Sequence, residues 1–213
     1  MKELAPTVYI VDDDSGVRSS IRVLMKSVGL QAMPFPSAKD FLAAYHPSNP
    51  GCLVLDIRMP GMSGLELQQA LNERGAVIPV IFITGHGDIP MAVEAMRHGA
   101  SDFLQKPFRD QDLIDRIQQA MARDAETRQS LREHSRIRTR IASLTPREKE
   151  VLELLTSGKA NKMMAQDLGL SQRTVEIHRA HVMEKMGAKS VAQLVRMVMD
   201  LEHSGSSTPS PER

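Results

Sequence analysis

The chain has 213 residues, of which 41% are hydrophobic and 25% charged, a balance typical of folded proteins rather than disordered ones. This length suits two small domains, and because the apolar runs are too short to span a membrane and no apolar leader is apparent, we expect a cytoplasmic protein. The net charge of +1 divides into −3 over residues 1–124 and +4 over residues 125–213, which predicts a metal-binding half followed by a half that binds nucleic acid.

The first half alternates β-rich apolar runs with runs of helical periodicity. The predicted strands are Thr7–Val11, Gln31–Phe35, Cys52–Leu55, Pro79–Ile83 and Asp102–Gln105. A helix is predicted after each strand, and these helices begin near Ser15 as N-cap, Ser37, Leu65, Met91 and Asp110. This order predicts an α/β fold, a doubly wound five-stranded parallel sheet with helices on both faces.

Polar residues follow four of the five predicted strands: Asp12 and Asp13, then Asp56, Thr84 and Lys106. Ligands of open parallel sheets bind beyond the carboxyl ends of the strands, so these five side chains are expected to converge. Crowded carboxylates favour a divalent cation such as Mg²⁺. A carboxylate can also accept a phosphoryl group, whose charge a lysine and the cation would neutralise. Taken singly, each residue has a structural interpretation as a turn former or N-cap; their convergence favours a site.

Residues 7–122 resemble the receiver domain of two-component response regulators. Four motifs carry the resemblance: Val11-Asp12-Asp13, Leu55–Gly64, Thr84-Gly85-His86 and Lys106-Pro107-Phe108. The run from Gly85 to Pro90 resembles the FixJ-type branch of that family, in which His86 is expected to be an exposed loop residue rather than a catalytic one.

The resemblance implies the flavodoxin-like strand order 2-1-3-4-5, and it implies roles for the residues at the strand ends. Asp56 would be the phosphoacceptor, assisted by Lys106 and Thr84. Mg²⁺ would be held by Asp13, Asp56 and the carbonyl of Arg58, with Asp12 acting through water. Thr84 and Phe103 match the family's switch pair, in which the hydroxyl moves toward the phosphate and the ring turns inward. Phe103 replaces the Tyr often found there, so no ring hydroxyl would take part.

The segment between the halves lacks Gly and Pro from Asp110 to about Ile141. Apolar positions fit a last receiver helix up to Met121, and the apolar stripe thins beyond Arg123. A helical linker, solvated or pairing, is therefore predicted over 124–141, after a receiver domain at 5–123. The five arginines between Arg128 and Arg140 are expected to form a solvated face rather than a DNA contact.

The last third is predicted to be all-α, with four helices. Thr145 caps the first, with Pro146 at its start and Glu148 completing a capping box. The second opens at Asn161 or Lys162, Ser171 caps the third after a turn at Gly169, and the fourth runs from Ser190 to about Leu201. Two short helices joined by a glycine turn predict a helix-turn-helix whose second helix can enter the major groove.

This segment resembles the LuxR-type DNA-binding domain in four stretches, Leu144–Glu148, Gly158–Lys162, Ala165–Ser171 and Thr174–Arg179. The resemblance sets a domain at 142–203 and leaves a Ser/Pro-rich tail at 204–213, expected to be disordered. It implies that the DNA phosphates are contacted by Lys162, Arg173 and Thr174. It also implies that the groove is faced by Glu176, Ile177, Arg179 and Ala180. The Glu176 carboxylate could accept a hydrogen bond from a cytosine or repel the DNA backbone. His178 and His181 fit packing within the protein as well as DNA contact.

Together the two resemblances imply a transcription regulator rather than an enzyme. A sensor histidine kinase would phosphorylate Asp56, and the modified protein would dimerise, bind promoter DNA and meet RNA polymerase. One alternative is an aspartyl-nucleophile phosphohydrolase, but such enzymes place an acid two residues after the nucleophile, where this chain has Arg58. The other is a constitutive DNA-binding protein with an inactive receiver, against which the retained Asp12, Asp13, Asp56, Thr84 and Lys106 argue.

Overall fold

The structure, a computed structural model, describes residues 5–85 and 89–205, and the chain divides between Gln129 and Ser130 into two compact units. His86 and residues 206–213 of the predicted tail lie outside the described residues. None of the helices in the described part combines the length and apolarity that crossing a membrane requires.

The first unit contains a five-stranded, all-parallel sheet in the order β2-β1-β3-β4-β5. Its strands are β1 (Thr7–Val11), β2 (Gln31–Phe35), β3 (Gly51–Asp56), β4 (Val80–Thr84) and β5 (Asp102–Gln105). Its helices are α1 (Ser15–Ser27), α2 (Ala38–Ala44), α3 (Gly64–Glu73), α4 (Ile89–Arg97) and the first part of α5 (Asp110–Ala142). The predicted fold class and strand order are confirmed.

Two strand ends lie one residue beyond their predicted limits. Asp56 and Thr84 are the last residues of β3 and β4, because the parallel pairing continues to them, with Asp56 opposite Ile83 and Thr84 opposite Gln105. Both residues are thereby held in the sheet itself rather than in the loop that follows it.

Alternate residues of the central strands enter two separate hydrophobic cores. Tyr9 and Val11 of β1 pack on one face of the sheet, and Val8 and Ile10 pack on the other. All six residues of β3 are buried, as expected for a parallel strand covered by helices on both faces. The strand that ends in Asp56 is therefore buried along its whole length.

Gly64 allows α3 to begin directly against the end of β3. A Cβ atom at this position would lie 2.3 Å from the carbonyl oxygen of Asp56, which no other residue could tolerate without moving the backbone. Ser63 and Glu66 close a capping box at the same helix end. The loop between Asp56 and Gly64 is consequently held at one end by the sheet and at the other by the capped start of α3.

The second unit packs four helices around one core. They are α6 (Pro146–Thr156), α7 (Asn161–Leu168), α8 (Gln172–Met186) and α9 (Val191–Gly205), joined in that core by Ile137 of α5. Thr145 and Ser171 cap α6 and α8 as predicted, and Gly169 takes the left-handed conformation, with φ of 64°, between α7 and α8. The helix-turn-helix is thus present, and α9 runs four residues past Leu201, the predicted end of the fourth helix.

The expectation that the arginines of α5 form a solvated face is wrong at two positions. Arg128 is buried against Asp124, and Arg140 is half-buried and donates to the carbonyl oxygen of Met186, at 2.8 Å. The other three, Arg132, Arg136 and Arg138, are exposed. Periodicity could not reveal the two buried arginines, because their partners are polar and do not extend the apolar stripe.

Candidate functional site

A shared lysine joins two buried carboxylates at the carboxyl edge of the sheet. Lys106 Nζ lies 2.9 Å from Asp12 Oδ2 and 2.8 Å from Asp56 Oδ1. Both aspartates are buried, whereas Lys106 is partly accessible. The ends of β1, β3 and β5 therefore bring together three of the five residues that the sequence placed at this edge.

Burial and the neighbouring lysine act in opposite directions on the pKa of Asp56. Burial raises the pKa of the Asp56 carboxyl, and the hydrogen bond from Lys106 acts in the opposite direction. Burial by itself would lower the pKa of Lys106, but hydrogen bonds to Asp12 and Asp56 raise it overall. The pKa of Asp56 is raised overall, and the positive charge of Lys106 partly offsets this effect of burial in favour of the ionised form, the form that can act as a nucleophile.

The loop after β1 is organised by backbone donors. Asp12 Oδ1 accepts from the amide of Asp14, at 2.8 Å, and Arg18 Nη1 donates to the carbonyl oxygen of Asp12, at 2.6 Å. Asp14, rather than Ser15 as predicted, is the N-cap of α1, because its carboxylate accepts from the amides of Gly16 and Val17. Ser15 is already the first residue of the helix.

Two further metal ligands were predicted beside Asp56, the Asp13 side chain and the backbone carbonyl of Arg58. Asp13 is exposed in the loop after β1. Asp56 Oδ2 accepts from the amide of Arg58, at 2.8 Å, so the loop after β3 turns back over the carboxylate. In residues 5–85 and 89–205 no three Asp, Glu, His or Cys side chains form a ready-made metal cluster. Mg²⁺ requires only one or two carboxylates with waters, so the oxygen donors of Asp12, Asp13 and Asp56 fit that ion chemically.

The predicted switch residues occupy contrasting surroundings. Thr84 is buried, and its hydroxyl donates to the carbonyl oxygen of Gly85, at 3.0 Å. The ring of Phe103 is 39% exposed, although its backbone pairs with Phe82 in the sheet. The hydroxyl is therefore directed to its own loop and the ring to solvent.

One face of α8 is open to solvent and carries four predicted DNA-contacting residues. Arg173, Glu176, Ile177 and Ala180 are exposed at helical spacing, while the opposite side buries the helix against the core. Ile177 is an exposed apolar side chain at the centre of this face. The arrangement suits a helix whose outer surface is covered by a partner such as the major groove.

Three other predicted contact residues lie elsewhere. Lys162 is exposed on α7, and Thr174 is half-buried, with its hydroxyl 2.8 Å from the hydroxyl of Ser171. Arg179, predicted to face the groove, is instead half-buried on the flank of α8 and donates through Nη1 to Asn161 Oδ1 of α7. A helix of 3.6 residues per turn puts position 179 well away from 177 and 180.

Glu148 links α6 to α8 through a partner that the sequence did not indicate. It completes the predicted capping box by accepting from the amide of Thr145, at 2.8 Å. Its oxygens also accept from Lys185 Nζ of α8, at 2.9 and 2.7 Å. Hydrogen bonds from Lys185 and from the Thr145 backbone lower the pKa of Glu148 to about 2. The helix α8 is thereby fixed to α6, the first helix of the unit, by a charged contact.

This lowered pKa predicts a pH dependence of stability. Glu148 should stabilise the folded second unit fully above about pH 4.5, its unfolded range, and lose that contribution as the pH falls toward about 2. We expect Glu148→Gln, which can still cap α6, to cost stability at about pH 5 and much less at about pH 3. Chemical denaturation of both proteins at these pH values measures the difference. An equal cost at both would contradict the assignment.

The comparisons with known proteins agree with this architecture. Residues 8–118 match the response regulator receiver domain family, and residues 142–198 match the bacterial regulatory proteins of the luxR family. The transcriptional regulatory protein FixJ of Azorhizobium caulinodans is 50% identical over 199 residues, 93% of this chain and 94% of that protein. Nodulation protein W of Bradyrhizobium diazoefficiens is 47% identical over 201 residues, 94% of this chain and 88% of that protein.

Two solved structures of response regulators are similar to this chain over most of its length. The response regulator StyR has a TM-score of 0.85 and 46% identity, covering 92% of this chain and 98% of that one. Full-length FixJ from B. japonicum has a TM-score of 0.57 and 39% identity, covering 94% and 98%. With the paired carboxylates and lysine in the first unit and the helix-turn-helix in the second, the chain belongs to the FixJ-type response regulators, transcriptional regulators that join a receiver domain to a LuxR-type DNA-binding domain.

Proposed function

We propose that Asp56 accepts a phosphoryl group from a sensor histidine kinase, and that the phosphorylated protein dimerises and binds promoter DNA, where it meets RNA polymerase. The observation that carries the proposal is Lys106 Nζ, which contacts both Asp12 and Asp56 at the carboxyl edge of the sheet. Of the carboxylates there, Asp56 is the one fixed at the end of the fully buried β3.

In the transfer, a carboxylate oxygen of Asp56 attacks the phosphorus of a phosphohistidine. A new oxygen–phosphorus bond forms while the nitrogen–phosphorus bond breaks, and the imidazole nitrogen keeps the electron pair of that bond and takes up a proton from water. Lys106 supplies positive charge beside the acceptor oxygen throughout. Mg²⁺, held by Asp13, Asp56 and the carbonyl of Arg58 with Asp12 through water, would supply further neutralisation of the phosphoryl oxygens.

The switch would start from Thr84. Its hydroxyl, now bonded to the Gly85 carbonyl, would turn to a phosphate on Asp56, and the exposed ring of Phe103 would turn inward. Both changes alter the surface formed by α4, β5 and the start of α5. Val93, Met96 and Phe103 already expose apolar side chains there, at 46%, 41% and 39%. A surface of this kind is suited to pairing with a second copy.

Phosphorylation is therefore expected to convert the protein to a dimer. A shift of the dimer-competent state from about 1% to 99% requires about 5.5 kcal/mol of differential stabilisation. Light scattering with and without a phosphoryl mimic and Mg²⁺, in the absence of DNA, measures the change. We expect Val93→Glu to prevent dimerisation and the matched Val23→Glu, on the 65% exposed side chain of α1, to leave it intact.

Dimerisation would explain how one helix per chain recognises an operator. A helix-turn-helix monomer covers one half-site, and two half-sites one turn apart need recognition helices about 34 Å apart. A wild-type protein that remains monomeric when phosphorylated, yet binds duplex DNA more tightly, would contradict the dimer mechanism. Release of an inhibitory contact would then be the better explanation.

A further inference from the structure

Arg179 is the basic residue among those of α8 that were predicted to face the groove. In the structure its side chain is bonded to another helix, α7. Its Nη1 donates to the side-chain oxygen of Asn161, the first residue of α7. The side chain is half-buried, whereas Arg173 of the same helix is exposed. Arg179 is therefore directed along the flank of α8 toward α7 and not out of the face that carries Ile177.

Asn161 does not cap α7, although an asparagine at the start of a helix often serves as its N-cap. The N-cap of α7 is Ala160, which makes no side-chain hydrogen bond to the helix, and Asn161 follows it inside the first turn. Its side-chain oxygen accepts from Arg179 instead. Because this contact uses one of the five N–H donors of a guanidinium, the planar group is oriented while further donors remain for a ligand.

The neighbourhood of this contact indicates which part of DNA would meet it. The first helix of a helix-turn-helix crosses the sugar-phosphate backbone, while the second enters the groove. Lys162, next to Asn161 on α7, is exposed. The Arg179 guanidinium is bonded to the residue that precedes this lysine, and a guanidinium can bind a phosphate through two parallel N–H donors.

We propose that Asn161 is a positioning residue that holds Arg179 as a contact to the DNA backbone rather than as a reader of bases. The proposal rests on the proposed DNA-binding function. It separates α8 into an outer face that reads sequence, at Glu176, Ile177 and Ala180, and a flank that supplies affinity. Asn161 acts only through Arg179, so its effect must depend on that arginine.

Fluorescence anisotropy of the full chain, with a phosphoryl mimic and Mg²⁺, tests this. The probes are a duplex that the wild type selects from a random pool and a shuffled duplex of the same composition, each at several salt concentrations. Arg179→Ala should weaken both duplexes about tenfold and lower the slope of log affinity against log salt by about one unit. Lys162→Ala should lower the slope similarly, and Arg196→Ala, an exposed arginine of α9, should leave it unchanged.

Asn161→Ala should weaken both duplexes about threefold in the wild type and have no further effect in the Arg179→Ala protein. Arg179→Lys keeps the charge and should keep the salt slope, which preserves the test if the alanine variant unfolds. The same loss from Asn161→Ala in both backgrounds would overturn the positioning role. A loss from Arg179→Ala confined to the selected duplex would overturn the phosphate contact. A wild type that selects no duplex from the random pool would contradict the DNA-binding function itself.

Discussion

Asp56→Asn is expected to yield a protein that takes up no phosphoryl group from a small phosphodonor and Mg²⁺, under conditions in which the wild type gains one. The amide has nearly the shape of the carboxylate, and its single oxygen can still accept from either Lys106 or the amide of Arg58, which in the wild type donate to the two different oxygens of Asp56, each at 2.8 Å. It lacks the anionic oxygen that attacks phosphorus. The effect is therefore loss of the reaction rather than loss of the fold.

Intact-mass analysis of the protein measures the outcome directly. Asp115→Asn, which changes an exposed carboxylate of α5, serves as the matched control and should be modified as the wild type is. An added phosphoryl group on the Asp56→Asn protein would show that another residue is the acceptor. The same variant should also fail to dimerise in response to the donor, which links the chemistry to the proposed switch.

The site at the sheet edge could be predicted because topology alone brings its residues together. Once alternating strands and helices define a parallel sheet, the carboxyl ends of β1, β3 and β5 must share an edge, and Asp12, Asp56 and Lys106 meet there although up to 94 residues separate them. The sequence does not determine which backbone donors surround these side chains. For that reason the N-cap of α1 is Asp14, whereas Ser15 was predicted.

Contacts between polar side chains of different elements were beyond the reach of sequence patterns. Asn161 and Arg179 are compatible with many arrangements of two short helices, and Lys185 is an ordinary surface residue until α6 places Glu148 beside it. Hydrophobic periodicity identifies which side of a helix is buried, but it carries no information about which charged residues are buried along with it. Asp124 and Arg128 are the clearest example.

These two residues of α5 form a buried clasp at the amino end of the sheet. Asp124 and Arg128 are 2% and 8% exposed, and Arg128 Nε lies 2.9 and 2.8 Å from the two Asp124 oxygens. Arg128 Nη1 also donates to the carbonyl oxygen of Pro47, and the amide of Gly51 donates to Asp124 Oδ2, at 2.8 and 2.9 Å. The clasp thus secures α5 to the start of β3.

Arg128→Ala should destabilise the first unit by about 3–5 kcal/mol, because it leaves the Asp124 carboxylate buried without its counter-charge. Replacing both residues, as Asp124→Leu with Arg128→Met, should cost much less, since no charge then remains in the interior. Hydrogen exchange of the buried β3 amides measures the free energy of opening in each protein. Arg123→Ala, an exposed arginine on the same helix, should change it by no more than about 0.5 kcal/mol. A loss from Arg128→Ala as small as that of Arg123→Ala would mean that solvent reaches Asp124 and that the clasp contributes little to holding α5 against the sheet.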